Sequence, residues 1–153
     1  MSRVLRATFV MSCDAGARLT RFVIAADPMS VRHALQAVFA RLTAWRMSAD
    51  ARDSAQIVLA EALNNIVIHA YAQAPGEIEV TLDLSATELT CRIVDAGLPL
   101  PGCSVLPAWV APSPGGCDLP EGGYGWHLIR TLSQDLSYRR EGGRNFLTFK
   151  ISS

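Results

Sequence analysis

Glu61-Ala62-Leu63-Asn64-Asn65-Ile66-Val67-Ile68-His69-Ala70-Tyr71 is the stretch on which the reading of this chain turns. It lies in an otherwise apolar helical pattern and sets a carboxylate, a carboxamide and an imidazole at positions 61, 65 and 69, one turn apart on one helix face. Packing gives no reason to turn three polar groups inward among Leu59, Leu63, Ile66, Val67 and Ile68, because a buried polar group costs free energy unless something pairs with it. The face is therefore suited to a polar ligand, and an acid followed one turn later by an amide suits a hydrated cation.

Working outward, Ser48 caps this helix, which the pattern carries from about Ala49 to Ala72 before Pro75-Gly76 stops it. Upstream, Asp27-Pro28 combines a capping carboxylate with proline at the first helical position. Val31, Ala34, Leu35, Val38, Phe39 and Leu42 then recur at helical spacing, to about Trp45. Residues 4–10 and 18–24 read as two strands around a turn at 13–16. Downstream, Ile78, Val80, Leu82 and Leu84 alternate with polar residues, as do Leu89, Cys91 and Ile93, giving two strands joined near Ser85-Ala86-Thr87. The second delivers Asp95-Ala96-Gly97 to its C-terminal end. Residues 98–122 hold six of the eight prolines and no lysine or arginine. With Leu98, Leu100, Val105, Leu106, Trp109 and Val110 they are too apolar for a solvated linker, and a lid that packs down fits better. Gly122-Gly123-Tyr124-Gly125 opens a helix through about Leu136 with Leu128, Ile129 and Leu132 inward. Strands at 136–140 and 145–151 close the chain around a hairpin turn at 141–144. The order predicts an α+β fold: a two-layer α/β sandwich with helices on one face of a mainly antiparallel, mixed sheet, one domain over 1–153 with an extra N-terminal strand in 1–17 and a lid at 98–122.

Composition agrees. Half the residues are hydrophobic and 18% charged, as in a packed domain and unlike a disordered segment. Fourteen basic residues balance fourteen acidic ones, which argues against nucleic acid or an anionic membrane as partner. Lys150 is the only lysine, a bias that interface arginines or a GC-rich genome would equally produce. Cys13, Cys91, Cys103 and Cys117 form no C-x-x-C pair, so no zinc site is expected. Cys91 reads as a core residue, while Cys103 and Cys117 share one loop and are placed to meet under oxidation. No apolar run is long enough to span a membrane, the N-terminus lacks a signal pattern, and a cytoplasmic location is expected.

Singly, a helical Glu-x-x-x-Asn, an Asp-x-Gly after a strand and a glycine doublet before a helix are ordinary; their order is not. That order resembles the Bergerat-type ATP-binding fold shared by gyrase and histidine-kinase ATPase domains. Within that group the chain is most similar to the anti-sigma-factor serine/threonine kinases of partner-switching systems. The resemblance covers roughly 18–151 and is carried by the 61–71 run, by Gly122-Gly123-Tyr124-Gly125-Trp126-His127-Leu128-Ile129, and by Arg144-Asn145-Phe146-Leu147-Thr148-Phe149.

The resemblance implies ATP and Mg2+ as cofactors. It makes Glu61 the general base and Asn65 the protein ligand of magnesium, an ion that takes few protein oxygens. Asp95 would accept from the adenine amino group and Gly97 would turn tightly against the base. Gly123, Tyr124 and Gly125 would bring backbone N–H groups to the phosphates. Asn145 or Thr148 would help hold adenine through water, and His69 is structural. The implied activity is phosphorylation of a small antagonist protein of the STAS type, with sequestration of a second partner such as a sigma factor or another regulator. The implied assembly is a homodimer through the helix near 28–45. The chain departs from the family in having Leu98-Pro99 where a further glycine is common and Tyr124 where a basic residue is common. Because no lysine or arginine lies between Arg92 and Arg130, magnesium and backbone amides would do most of the charge neutralisation unless Arg46, Arg52 or a partner supplies an arginine. Two other readings stand beside the kinase: an ATP-binding interaction module that has lost transfer, and a regulatory domain cut from a larger signalling enzyme.

Overall fold

The computed structural model describes residues 18–100 and 125–153. The expected strand at 4–10, the turn at 13–16, Cys13, Cys103, Cys117, most of the expected lid, Gly123 and Tyr124 lie outside the described residues.

Helix α1 (Pro28–Ala44) starts where the sequence placed it. The Asp27 side chain accepts from the Ser30 backbone N–H at 2.8 Å and from the Ser30 hydroxyl at 2.7 Å, and these donors hold its carboxyl below the usual range. Val31, Ala34, Val38 and Leu42 form its buried stripe. Helix α2 (Ala49–Asn65) is capped by Ser48 and buries Ala51, Ala55, Val58, Leu59, Ala62 and Leu63. Its small residues let it lie close to its neighbours.

Strands β1 (Arg18–Ala25), β2 (Glu77–Leu84), β3 (Glu88–Asp95), β4 (Gln134–Glu141) and β5 (Arg144–Ser152) form one sheet in the order β1-β2-β3-β5-β4. Every pairing among these strands is antiparallel. Alternate residues meet the helices: Phe22 and Ile24 on β1, Ile78 to Leu84 on β2, Leu89, Cys91 and Ile93 on β3, Leu147, Phe149 and Ile151 on β5. A fully buried side chain of this size contributes about 1.5–3 kcal/mol, so this face is the principal source of stability. The α+β two-layer architecture is as expected. Register also sets one core-side row across the sheet, Ile24, Ile78, Asp95, Asn145 and Arg140. Its apolar end joins the core and its polar end builds the site.

Three local expectations are corrected. The α-helix expected to reach Ala72 ends at Asn65 and continues as a π-helical turn over Ile66–Ala70, closed by Tyr71 N–H to Ile66 carbonyl at 3.2 Å. On that turn Ile68, expected inward, is 56% exposed, and His69 is partly buried. Helix α3 (Trp126–Leu132), expected to reach Leu136, stops because Ser133 turns extended and Gln134 already pairs with Lys150. Its buried residues are Trp126 and Ile129, while Leu128, expected inward, is exposed.

Candidate functional site

The C-terminal end of α2, the end of β3, the start of β5, the end of β4 and α3 converge on one cleft. Asn65, Asp95, Leu98, Leu100, Trp126 and Asn145 are among its lining residues. Asn65 is 3% exposed, and its amide nitrogen has no hydrogen-bond partner among the described residues. A buried amide in that condition costs free energy unless a polar group pairs with it, which suits a polar ligand. Glu61, one turn earlier, lies against Gly125. A Cβ on Gly125 would collide with the Glu61 carboxylate, and its φ of 72° is left-handed, so glycine is required there twice over. Gly97 is equally constrained, since a Cβ there would strike the Ala70 carbonyl at the end of the π turn. That carbonyl also accepts from Leu98 N–H at 2.8 Å.

Asp95 closes β3 and is 5% exposed. Burial pushes its carboxyl above the usual carboxylate range; the Asn145 amide, the Gly97 N–H and the charge of Arg140 act against that. Tyr71 braces the same strand end: its hydroxyl donates to Glu77 carbonyl at 2.6 Å and accepts from Ala96 N–H at 3.0 Å. Burial pushes the Tyr71 and Tyr138 phenols up, so both remain protonated donors at neutral pH.

The cleft encloses only about 10 Å³ of open space, and Leu100, itself buried, is part of its wall. Leu100 N–H donates to the Tyr138 hydroxyl at 3.0 Å. A larger hollow of about 440 Å³ opens on the reverse face of the sheet, lined by Glu77, Glu79 and Arg144 among others.

The structure therefore brings Glu61, Asn65, Asp95, Gly97 and Gly125 together. It separates Asn145 from Thr148: Asn145 is buried on the cleft side, whereas Thr148 pairs with Arg92 on the opposite face. Arg52 and Arg46 do not serve the cleft. Arg52 binds Thr43 and stacks on Phe39 near the start of α2, roughly 13 Å of helix rise before Glu61. Arg46 precedes even that turn. The cation at the cleft is instead Arg140, with Tyr138 beside it. Sequence reasoning passed over both, although an arginine on the core-facing phase of a strand was the available signal. Among the described residues no group of three or more His, Cys, Asp and Glu is placed to hold a metal. One carboxamide oxygen, from Asn65 in the cleft wall, fits magnesium, which takes few protein oxygens and keeps waters. Among those residues no helix is long and apolar enough to cross a membrane.

A glycine-led helix against a helical acid–amide pair, with a buried strand-end aspartate on an α/β sandwich, is the arrangement of a nucleotide-binding ATPase domain. Residues 24–151 match the histidine kinase-like ATPase domain family, and the chain belongs to it. It is 36% identical over 109 residues to the serine/threonine-protein kinase BtrW of Bordetella bronchiseptica, spanning 71% of this chain and 75% of that protein. It is 33% identical over 104 residues to the serine-protein kinase RsbW of Bacillus mycoides (66% and 64%) and 34% identical over 98 residues to RsbW of Bacillus cereus (62% and 61%).

Proposed function

We propose that this chain is an ATP-dependent serine/threonine protein kinase working as a partner switch of the anti-sigma type. It phosphorylates a small STAS-type antagonist and sequesters a second protein, a sigma factor or another regulator. Residues 1–153 form one ATPase domain with 98–122 as its lid. Kinship to BtrW and RsbW supports the activity. The single observation that carries the site is the convergence of Asn65 and Asp95 on one cleft, with Glu61 beside it against Gly125.

In this reading Glu61 takes the proton from the target hydroxyl as that oxygen forms its bond to phosphorus and ADP departs. Asn65 gives its amide oxygen to magnesium. Asp95 accepts from the adenine amino group, and Gly97 lets the backbone approach the base. Gly123, Tyr124 and Gly125 turn N–H groups to the phosphates, the first two from outside the described residues. Bound ATP supplies the phosphoryl group, and magnesium supplies charge neutralisation. The cleft has to widen for the base to enter.

The test is single-turnover transfer from ATP to the antagonist encoded beside the gene. Glu61→Ala should lower the rate roughly 10²–10⁴-fold while leaving ATP affinity near wild type. Equal rates in the two proteins would remove Glu61 as base. One observation favours a second reading, a module that binds ATP without transfer. Arg140, the cation at the cleft, is committed to Gly97 and Asn145 at the adenine end and is not free for the transferred phosphoryl group. Near-zero rates in both proteins, with ATP binding intact, would support that module.

A further inference from the structure

Asn145 does not sit in the cleft as a simple contact; it is the centre of a relay. Its Oδ1 accepts from the Tyr138 hydroxyl at 2.7 Å and from Arg140 Nη1 at 2.7 Å. A guanidinium can only donate, so the oxygen end of the amide must face Arg140. The nitrogen end is thereby turned the other way. It donates to Asp95 Oδ1 at 2.8 Å and to Leu98 carbonyl at 2.9 Å, with Gly97 carbonyl further off at 3.4 Å. Asp95 Oδ1 also accepts from Gly97 N–H at 2.9 Å, which uses both of its in-plane positions. Asp95 Oδ2 has no hydrogen-bond partner among the described residues.

We infer that Tyr138, Arg140 and Asn145 are positioning residues that set the base selectivity of the pocket, by fixing which oxygen of Asp95 is spent on the protein and which is left for the ligand. The inference rests on the reading of Asp95 as the adenine contact. The open oxygen is an anionic acceptor, so it favours a purine with an amino group at C6 and repels one with a carbonyl oxygen there. The relay acts on selectivity through Asp95. Arg140 also donates to Gly97 carbonyl at 2.9 Å, so the same guanidinium holds the strand end that the base would stack against. When the relay is broken at Arg140 the buried carboxyl loses a nearby positive charge, and when it is broken at either residue the Asn145 amide loses a donor that fixes its orientation towards Asp95. The carboxyl then takes up a proton more readily and becomes able to donate to a 6-oxo group. Selectivity, and not merely affinity, is what should erode.

The experiment is titration calorimetry of the full chain with magnesium-ATP and magnesium-ITP, which differ at C6 as amino against oxo. Wild type should prefer ATP by about tenfold or more, the worth of one hydrogen bond to a charged group. Arg140→Gln and Tyr138→Phe should bring the ratio towards unity, chiefly by weakening ATP, and Arg140→Lys, which keeps a donor, should recover part of it. Melting curves establish that each variant is folded. If Arg140→Gln does not fold, Tyr138→Phe, which removes one hydroxyl, carries the comparison. Folded variants that lose both nucleotides equally, or that keep the wild-type ratio, overturn the relay and leave the nucleotide site standing. Wild type that binds both equally overturns the selectivity claim. Wild type that binds neither overturns the nucleotide reading and the relay with it.

Discussion

Burial raises the Asp95 carboxyl above its ordinary value of 3.8, and the sign of that shift separates its cost to the fold from its use at the site. With the folded value above the unfolded one, the folded chain holds the proton more tightly between the two. Stability therefore falls as pH rises through that window and stays lower above it. At neutral pH the buried charge burdens the fold. Asp95→Asn keeps an oxygen for Asn145 and Gly97 but puts an NH₂ where the open oxygen was. We expect its melting temperature at neutral pH to equal or exceed wild type, and its ATP affinity to drop roughly ten- to a hundredfold. A variant that melts lower and still binds ATP normally would reverse both expectations. Glu61, Asn65 and Asp95 could be singled out because the order of the helical acid–amide, the strand-end aspartate and the glycine-led helix is uncommon, although each alone is ordinary. Arg140 and Tyr138 share the core-facing phase of β4, a signal that becomes readable only once the strand's register is known.

Helix and strand boundaries follow competition between local signals and pairing. Asp27 and Ser48 are local: each cap satisfies backbone donors at its own helix start. Asp27→Ala should cost about 1 kcal/mol in urea unfolding at neutral pH. Because its donors lower the folded value below 3.8, this contribution is present above that pH and is lost as pH falls through the lower folded value. The variant and wild type should therefore converge in strong acid. A deficit that persists there would assign the effect to packing instead. The end of α3 is set by competition: Leu128 and Leu136 extend a helical pattern, yet Gln134 to Glu141 pair with β5, and a ladder of sheet bonds outweighs one more helical turn. The π turn at Ile66–Ala70 likewise carries no marker in sequence. It places the Ala70 carbonyl against Gly97, a contact between segments far apart in the chain.

At the scale of the whole molecule, the cleft among the described residues encloses about 10 Å³, so a ligand the size of a nucleotide needs it to widen. Ligand binding and that widening are then one equilibrium, and the folded state gains the net free energy. Magnesium-ATP at about a hundred times its dissociation constant should add about 2.7 kcal/mol, raising the melting temperature by roughly 5–10 °C. No shift, in a sample shown to be folded, would remove nucleotide binding at this concentration. The sequence by itself determined the fold class, the order of elements, the helix starts and the acid–amide pair. Those rest on periodicity and on hydrogen bonds made within a few residues. Tertiary structure alone decided that Asn145 and not Thr148 faces the cleft, and that Arg140 reaches the end of β3 while Arg52 stays on the far turn of α2. It also decided that Asp95 shares its oxygens unequally. Each of these depends on strand register and on the β3–β5–β4 neighbourhood, and a pairing between segments fifty residues apart leaves no local trace in the residues that make it.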